Sequence, residues 1–114
     1  MKFLVICAHP DDCDILFAGT AIKLLRRGAE IVFVSVTNGD TGHHVLSREE
    51  TARVRLEETV ASKEKLGIDG YEVLNNPCGI EPTLELRKDI VRLIRRHSPD
   101  SDPLLPNERN LLPR

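Results

Sequence analysis

One imidazole and three carboxylates fall within the six residues His9-Pro10-Asp11-Asp12-Cys13-Asp14, directly behind the apolar run FLVICA (3–8). Aspartates this crowded disfavour one another's ionisation unless something positive offsets them. A helix N-terminus stabilises each by only ~0.3–1 kcal/mol, whereas a divalent cation offsets the repulsion far more strongly. His9 and Asp12 together present one nitrogen and one oxygen donor. That pair suits Zn²⁺ or another divalent transition metal better than Ca²⁺ or Mg²⁺. Pro10 fixes its own φ and pushes His9 out of the α region, making a turn that swings both side chains the same way. Asp11 is then left unligated, where a general base acting on metal-activated water belongs. Two other readings stay open on these residues alone. The aspartates can be helix caps beside a loop histidine. Alternatively, DDCD (11–14) can be a phosphoryl-transfer nucleophile of the strand–Asp-x-Asp kind, which leaves His9 without a role.

Such a cluster needs a strand before it and a helix after it. Residues 2–8 are apolar without alternation, as expected of a strand buried on both faces of a parallel sheet. From Asp14 onwards, Ile15, Leu16, Ala18, Ile22, Leu24 and Leu25 recur at helical spacing, and Gly28 is placed to cap the end. Residues 30–37 are rich in β-branched side chains, and NGDTGHH (38–44) reads as a loop. Ser47 and Glu50 form a capping-box pattern that opens a helix running to Leu66 and stopping at Gly67. A third strand is expected over 71–76. A third helix follows over 83–97, with Leu84, Leu86, Ile90, Val91, Leu93 and Ile94 on its buried side and Pro82 near its first position. This alternation predicts an α/β fold, a Rossmann-like parallel sheet with flanking helices, truncated after the third helix. Ligands bind such sheets beyond the carboxyl ends of the strands. The loops at 8–14 and 38–44 should therefore converge on one edge.

The run AHPDDCD followed by ILFAGTAIKLLRRGAEIVFVSVTNGDTGHH (8–44) resembles the PIG-L/LmbE-like family of zinc-dependent de-N-acetylases, whose opening motif is AHPDD-x-E on a Rossmann-like sheet. The similarity continues through ARVRLEETVASKEKLGI (52–68), like the family's R-x-x-E…LG helix, and TLELRKDIVRLIRRHSPD (83–100), covering about residues 3–100. The resemblance implies that His9 and Asp12 bind the metal and that Asp11 activates water. It also implies removal of an N-acetyl group from an amino sugar or sugar conjugate, a GlcNAc derivative for example. By the same match Arg55 lies near the substrate, or pairs with Glu58 on a solvated helix face. His43 and His44 line the mouth of the site, and Asp14 takes the place of the motif's closing Glu on the substrate side.

The match has departures. Asp14 is one methylene shorter than Glu, and Cys78 in NNPCGIEP (75–82) stands where such proteins often carry Asp before Gly. No histidine follows His97, so the His-rich segment that supplies the family's third ligand has no counterpart. A catalytic zinc takes three protein ligands and one open position. Residues 1–100 are read as the N-terminal part of the domain and 101–114 as an irregular Pro-rich tail, in place of a fourth apolar strand. The first strand is then an exposed edge, to be covered by a second copy or a partner. A fragment, a shifted reading frame and one piece of an assembly are the three explanations for such an ending. The competing functional reading is a non-catalytic module of the same fold that acts through partner binding, by β-augmentation for instance.

Composition narrows the classes. A chain of 114 residues suits one domain. Its net charge of −2 offers no nucleic-acid footprint. No apolar stretch approaches the ~18 residues of a membrane span. Cys7, Cys13 and Cys78 form no CxxC pair, as expected of reduced thiols in the cytoplasm. The partner implied is a small N-acetylated sugar.

Overall fold

The computed structural model describes residues 1–42 and 44–100. Strand β1 (Lys2–Cys7) leads into α1 (Asp12–Arg26), β2 (Glu30–Thr37), α2 (Arg48–Leu66), β3 (Gly70–Asn76) and α3 (Leu84–His97). The strands form a three-stranded sheet in the order β1-β2-β3. Both pairings are parallel, with Val5 level with Phe33 and Phe33 level with Tyr71. This is the α/β architecture that the strand–helix alternation predicts.

The sheet carries apolar layers on both faces. On one, Phe3, Cys13, Phe17, Ala21, Ile31, Phe33 and Ile68 form the main core, with Leu66 and Tyr71 packed against it. Phe33 meets Phe17 and Tyr71 edge-on, at centroid distances of 6.2 and 5.6 Å. On the other face Leu93 of α3 packs on Val32 and Val34, flanked by Leu4, Ile6 and Leu74. Central β2 is therefore buried from Ile31 to Thr37, while in β1 only Phe3 is fully buried.

Helix ends follow their local chemistry. Ser47 accepts the Glu50 N–H at 3.2 Å, and α2 stops at Gly67, whose φ of 74° suits a residue without Cβ. Arg27 caps α1, with Gly28 left-handed just beyond it. Thr83 caps α3 through the Leu86 N–H, which leaves Pro82 outside the helix.

Three expectations are corrected. Helix α1 begins at Asp12 rather than Asp14, because the chain turns into the helix within the acidic run itself. Its buried face is Cys13, Phe17 and Ala21, whereas Ile15 and Leu16 are 75% and 77% exposed and Ile22 is exposed as well. In α3 only Leu93 is fully buried, and Leu84, Val91 and Ile94 face outward. Both helices meet a narrow, three-stranded sheet, so it covers less apolar surface than their sequences offer. Among the described residues, β1 pairs with β2 alone and borders the sheet. Just past α3, the Asp100 N–H donates to the Lys2 carbonyl at 3.0 Å, and the Lys2 N–H donates to the Asp100 carboxylate at 2.7 Å. The tail assigned to 101–114 lies outside the described residues. No described helix is long and apolar enough to cross a membrane.

Candidate active site

The loop between β1 and α1 is held from beneath by β2. Thr37 donates to the Ala8 carbonyl twice, through its backbone N–H at 2.9 Å and its hydroxyl at 2.8 Å. Thr37 is fully buried, and Ser35 Oγ donates to its carbonyl at 2.7 Å across an irregularity in the β2–β3 register. The end of β1 is thereby anchored, and His9 follows at the rim.

His9 and Asp12 come together as the spacing predicts. The Asp12 Oδ2 accepts the His9 backbone N–H at 2.9 Å and lies 3.4 Å from His9 Nδ1. Two ligands ~2.0–2.1 Å from one ion at a tetrahedral angle are themselves about 3.3–3.4 Å apart. The pair therefore fits two legs of a zinc site. Among the described residues, no group of three His, Cys, Asp or Glu side chains forms a metal-holding set.

Asp11 occupies the N-cap of α1 with φ 82° and ψ −21°, a left-handed conformation that costs a non-glycine residue roughly 1–3 kcal/mol. Its carboxylate caps no helix N–H. The other two aspartates are also engaged elsewhere, Asp12 with His9 and Asp14 with Ser62 and Tyr71, so the helix-cap explanation of the acidic run does not hold. Partial desolvation and then the negative charge of Asp12 raise the Asp11 pKa, opposed by the Arg55 guanidinium.

An open pocket of about 270 Å³ lies over this loop, lined by His9, Pro10, Asp11, Gly39, Thr41, Gly42, Arg55 and Cys78. The loops following β1 and β2 thus converge, as their position beyond the strand ends requires. Gly39 is tightly fitted there: a Cβ would stand 3.1 Å from Pro10 and 3.2 Å from Arg55, at a φ of 69°. Arg55 donates to Glu58 at 2.9 Å and to the Gly42 carbonyl at 3.1 Å, so it forms the anticipated ion pair while still facing the pocket. Cys78 is a pocket wall whose N–H donates to Asp40 at 3.0 Å.

The remaining candidates are placed differently. Asp14 is turned away from the pocket, accepting from Ser62 Oγ with one oxygen and from Tyr71 Oη at 2.9 Å with the other. His44 is exposed in the loop before α2, and His43 lies outside the described residues. Thr37, Ser62 and Tyr71 escaped sequence reasoning because a lone hydroxyl carries no spacing signal. The one available hint was that Tyr71 is the chain's single tyrosine.

A family model described as GlcNAc-PI de-N-acetylase (PIG-L) matches residues 4–102. A diacetylchitobiose deacetylase of Thermococcus kodakarensis is 39% identical over 94% of the chain and 43% of its own length. A 1D-myo-inositol 2-acetamido-2-deoxy-alpha-D-glucopyranoside deacetylase of a Mycobacterium species is 28% identical over 67% of the chain and 28% of its own length. Among solved structures, N,N'-diacetylchitobiose deacetylase from Pyrococcus horikoshii superposes with a TM-score of 0.81 at 36% identity, over 96% of the chain and 43% of the neighbour. The chain therefore spans less than half the length of these relatives.

Proposed function

Because the chain belongs to the PIG-L family of GlcNAc-PI de-N-acetylases, we propose that residues 1–100 form the N-terminal part of a metal-dependent hydrolase domain that removes an N-acetyl group from an amino sugar. His9 and Asp12 are the metal ligands in this reading, and Asp11 is the general base. The observation that carries it is the 3.4 Å approach of His9 Nδ1 to Asp12 Oδ2 at a pocket that His9 and Asp11 line together. The deacetylase activities of the relatives support an N-acetylated sugar as the substrate.

A bound Zn²⁺ supplies Lewis-acid polarisation of the scissile carbonyl and makes water a competent nucleophile near neutral pH. The chain's own residues do the rest. Asp11 removes the proton from the attacking water at its carboxylate and returns it to the departing amine, so that amide and water become acetate and free amine. Arg55 holds the Gly42 carbonyl, fixes the second loop over the pocket, and sets positive charge beside Asp11. Three unpaired cysteines support a reducing compartment, the cytoplasm.

A second reading has its own observation. Among the described residues, β1 is paired on one side only, by β2. On that reading the chain is a binding module whose open β1 edge is covered by a partner. Isothermal titration of Zn²⁺ into the wild-type chain and His9→Ala tests the first reading. The expected result is weak binding that disappears in the variant, with deacetylation of diacetylchitobiose appearing only when a third ligand is supplied. Equal affinity in both proteins would remove the metal site and leave the binding module.

A further inference from the structure

We infer that Tyr71 is a positioning residue, whose hydroxyl holds the Asp11 backbone in the left-handed turn that sets Asp11 between His9 and Asp12. The inference rests on the proposed site, since only there does the geometry of residues 9–12 bear on chemistry.

Asp11 is one of only two positive-φ non-glycine residues among those described, and it lies between the two proposed ligands. An Asp tolerates this region when its side chain bonds the local backbone, but Asp11 makes no such capping bond. Its N–H is instead directed out of the turn and donates to Tyr71 Oη at 3.3 Å. The direction of the remaining bonds follows from valence. A backbone N–H can only donate, so Tyr71 accepts from Asp11 through a phenolic lone pair and donates its single proton to Asp14 Oδ2 at 2.9 Å.

Each member of this chain is fixed by a different element. The Tyr71 ring stands edge-on to Phe33 in the core, and its backbone pairs with Phe33 in the sheet. Asp14, on the first turn of α1, is held by Ser62 from α2. The turn at Asp11 is thus tied to β3, α1 and α2 through one hydroxyl. Burial keeps that hydroxyl protonated throughout the working pH range. Groups that orient metal ligands typically alter affinity by about 10–100-fold.

Tyr71→Phe keeps the ring and removes the hydroxyl. In the intact chain, amide hydrogen exchange at Asp11 should accelerate about tenfold while exchange at Phe33 and Val34 is unchanged. Titration with Zn²⁺ supplies a second readout. Tyr71→Phe should weaken binding about tenfold in the wild-type background but not in Asp11→Gly, because glycine takes the left-handed turn unaided. A purely structural loss would lower affinity in both backgrounds, and that result would overturn the proposal, as would unchanged Asp11 exchange. If no variant and no wild-type protein binds Zn²⁺, the metal reading falls and Asp11 exchange alone decides the role of Tyr71.

Discussion

Asp40 shows how a single side chain can tie the second pocket loop to the loop that follows β3. Its Oδ1 accepts the Cys78 N–H at 3.0 Å, and that bond, above all others, lowers its pKa. A carboxyl with a depressed folded-state pKa stabilises the fold fully above its unfolded value, ~3.9. The contribution disappears as pH falls through that value toward the lower folded one, because the unfolded chain then binds the proton more readily. Asp40→Asn should therefore lower Tm at pH 7 and flatten its decline below about pH 4. Thermal melts of both proteins across pH 2–7 check this, and parallel acid limbs would count against it. At the same scale, the meeting of His9 with Asp12 was legible from residue type and spacing. Tyr71 and Ser62 were not, since their roles exist only through contacts across 60 and 48 residues of sequence.

At the level of elements, α1 separates two sources of apolarity. Phe17 is buried against Phe33 and Leu16 beside it is exposed, the reverse of a helical spacing that picks out Leu16 and passes over Phe17. Phe17→Ala should cost about 3–5 kcal/mol, the range for removing a buried aromatic. Leu16→Ala should stay within roughly 0.5 kcal/mol, as surface changes do. Urea unfolding of the two variants distinguishes them, and similar losses would mean that Leu16 is covered in solution. Strand limits agree closely with their apolar runs, and α2 has the start and stop signalled by Ser47 and Gly67. The buried sides of α1 and α3 were misjudged because periodicity names an apolar face without saying how much of it a neighbouring layer can reach.

For the whole molecule, width is the governing quantity. Only β2 is flanked on both sides, and the backbone groups along the outer side of β1 continue unpaired beyond Lys2 among the described residues. A strand edge unpaired among the described residues, on a chain that also exposes Ile15 and Leu16, favours pairing with another chain. The purified chain should show an apparent mass that rises with concentration in size-exclusion chromatography, and Leu16→Lys should reduce it. A monomer at every concentration, with a sharp melting transition, would show that the three-stranded sheet suffices by itself. The open edge belongs to a chain that spans 43% of its diacetylchitobiose-deacetylating relative.

Local chemistry sufficed to determine the order of strands and helices, the two ends of α2, and the approach of His9 to Asp12. Each of these depends on residues a few positions apart, whose side-chain directions follow from turn and helix geometry. Tertiary structure alone decided which apolar residues are covered, that Asp14 faces Tyr71 and Ser62 rather than the pocket, and that Asp11 is left-handed. Those outcomes depend on which distant strands arrive alongside, and backbone packing selects among contacts that the sequence makes equally available.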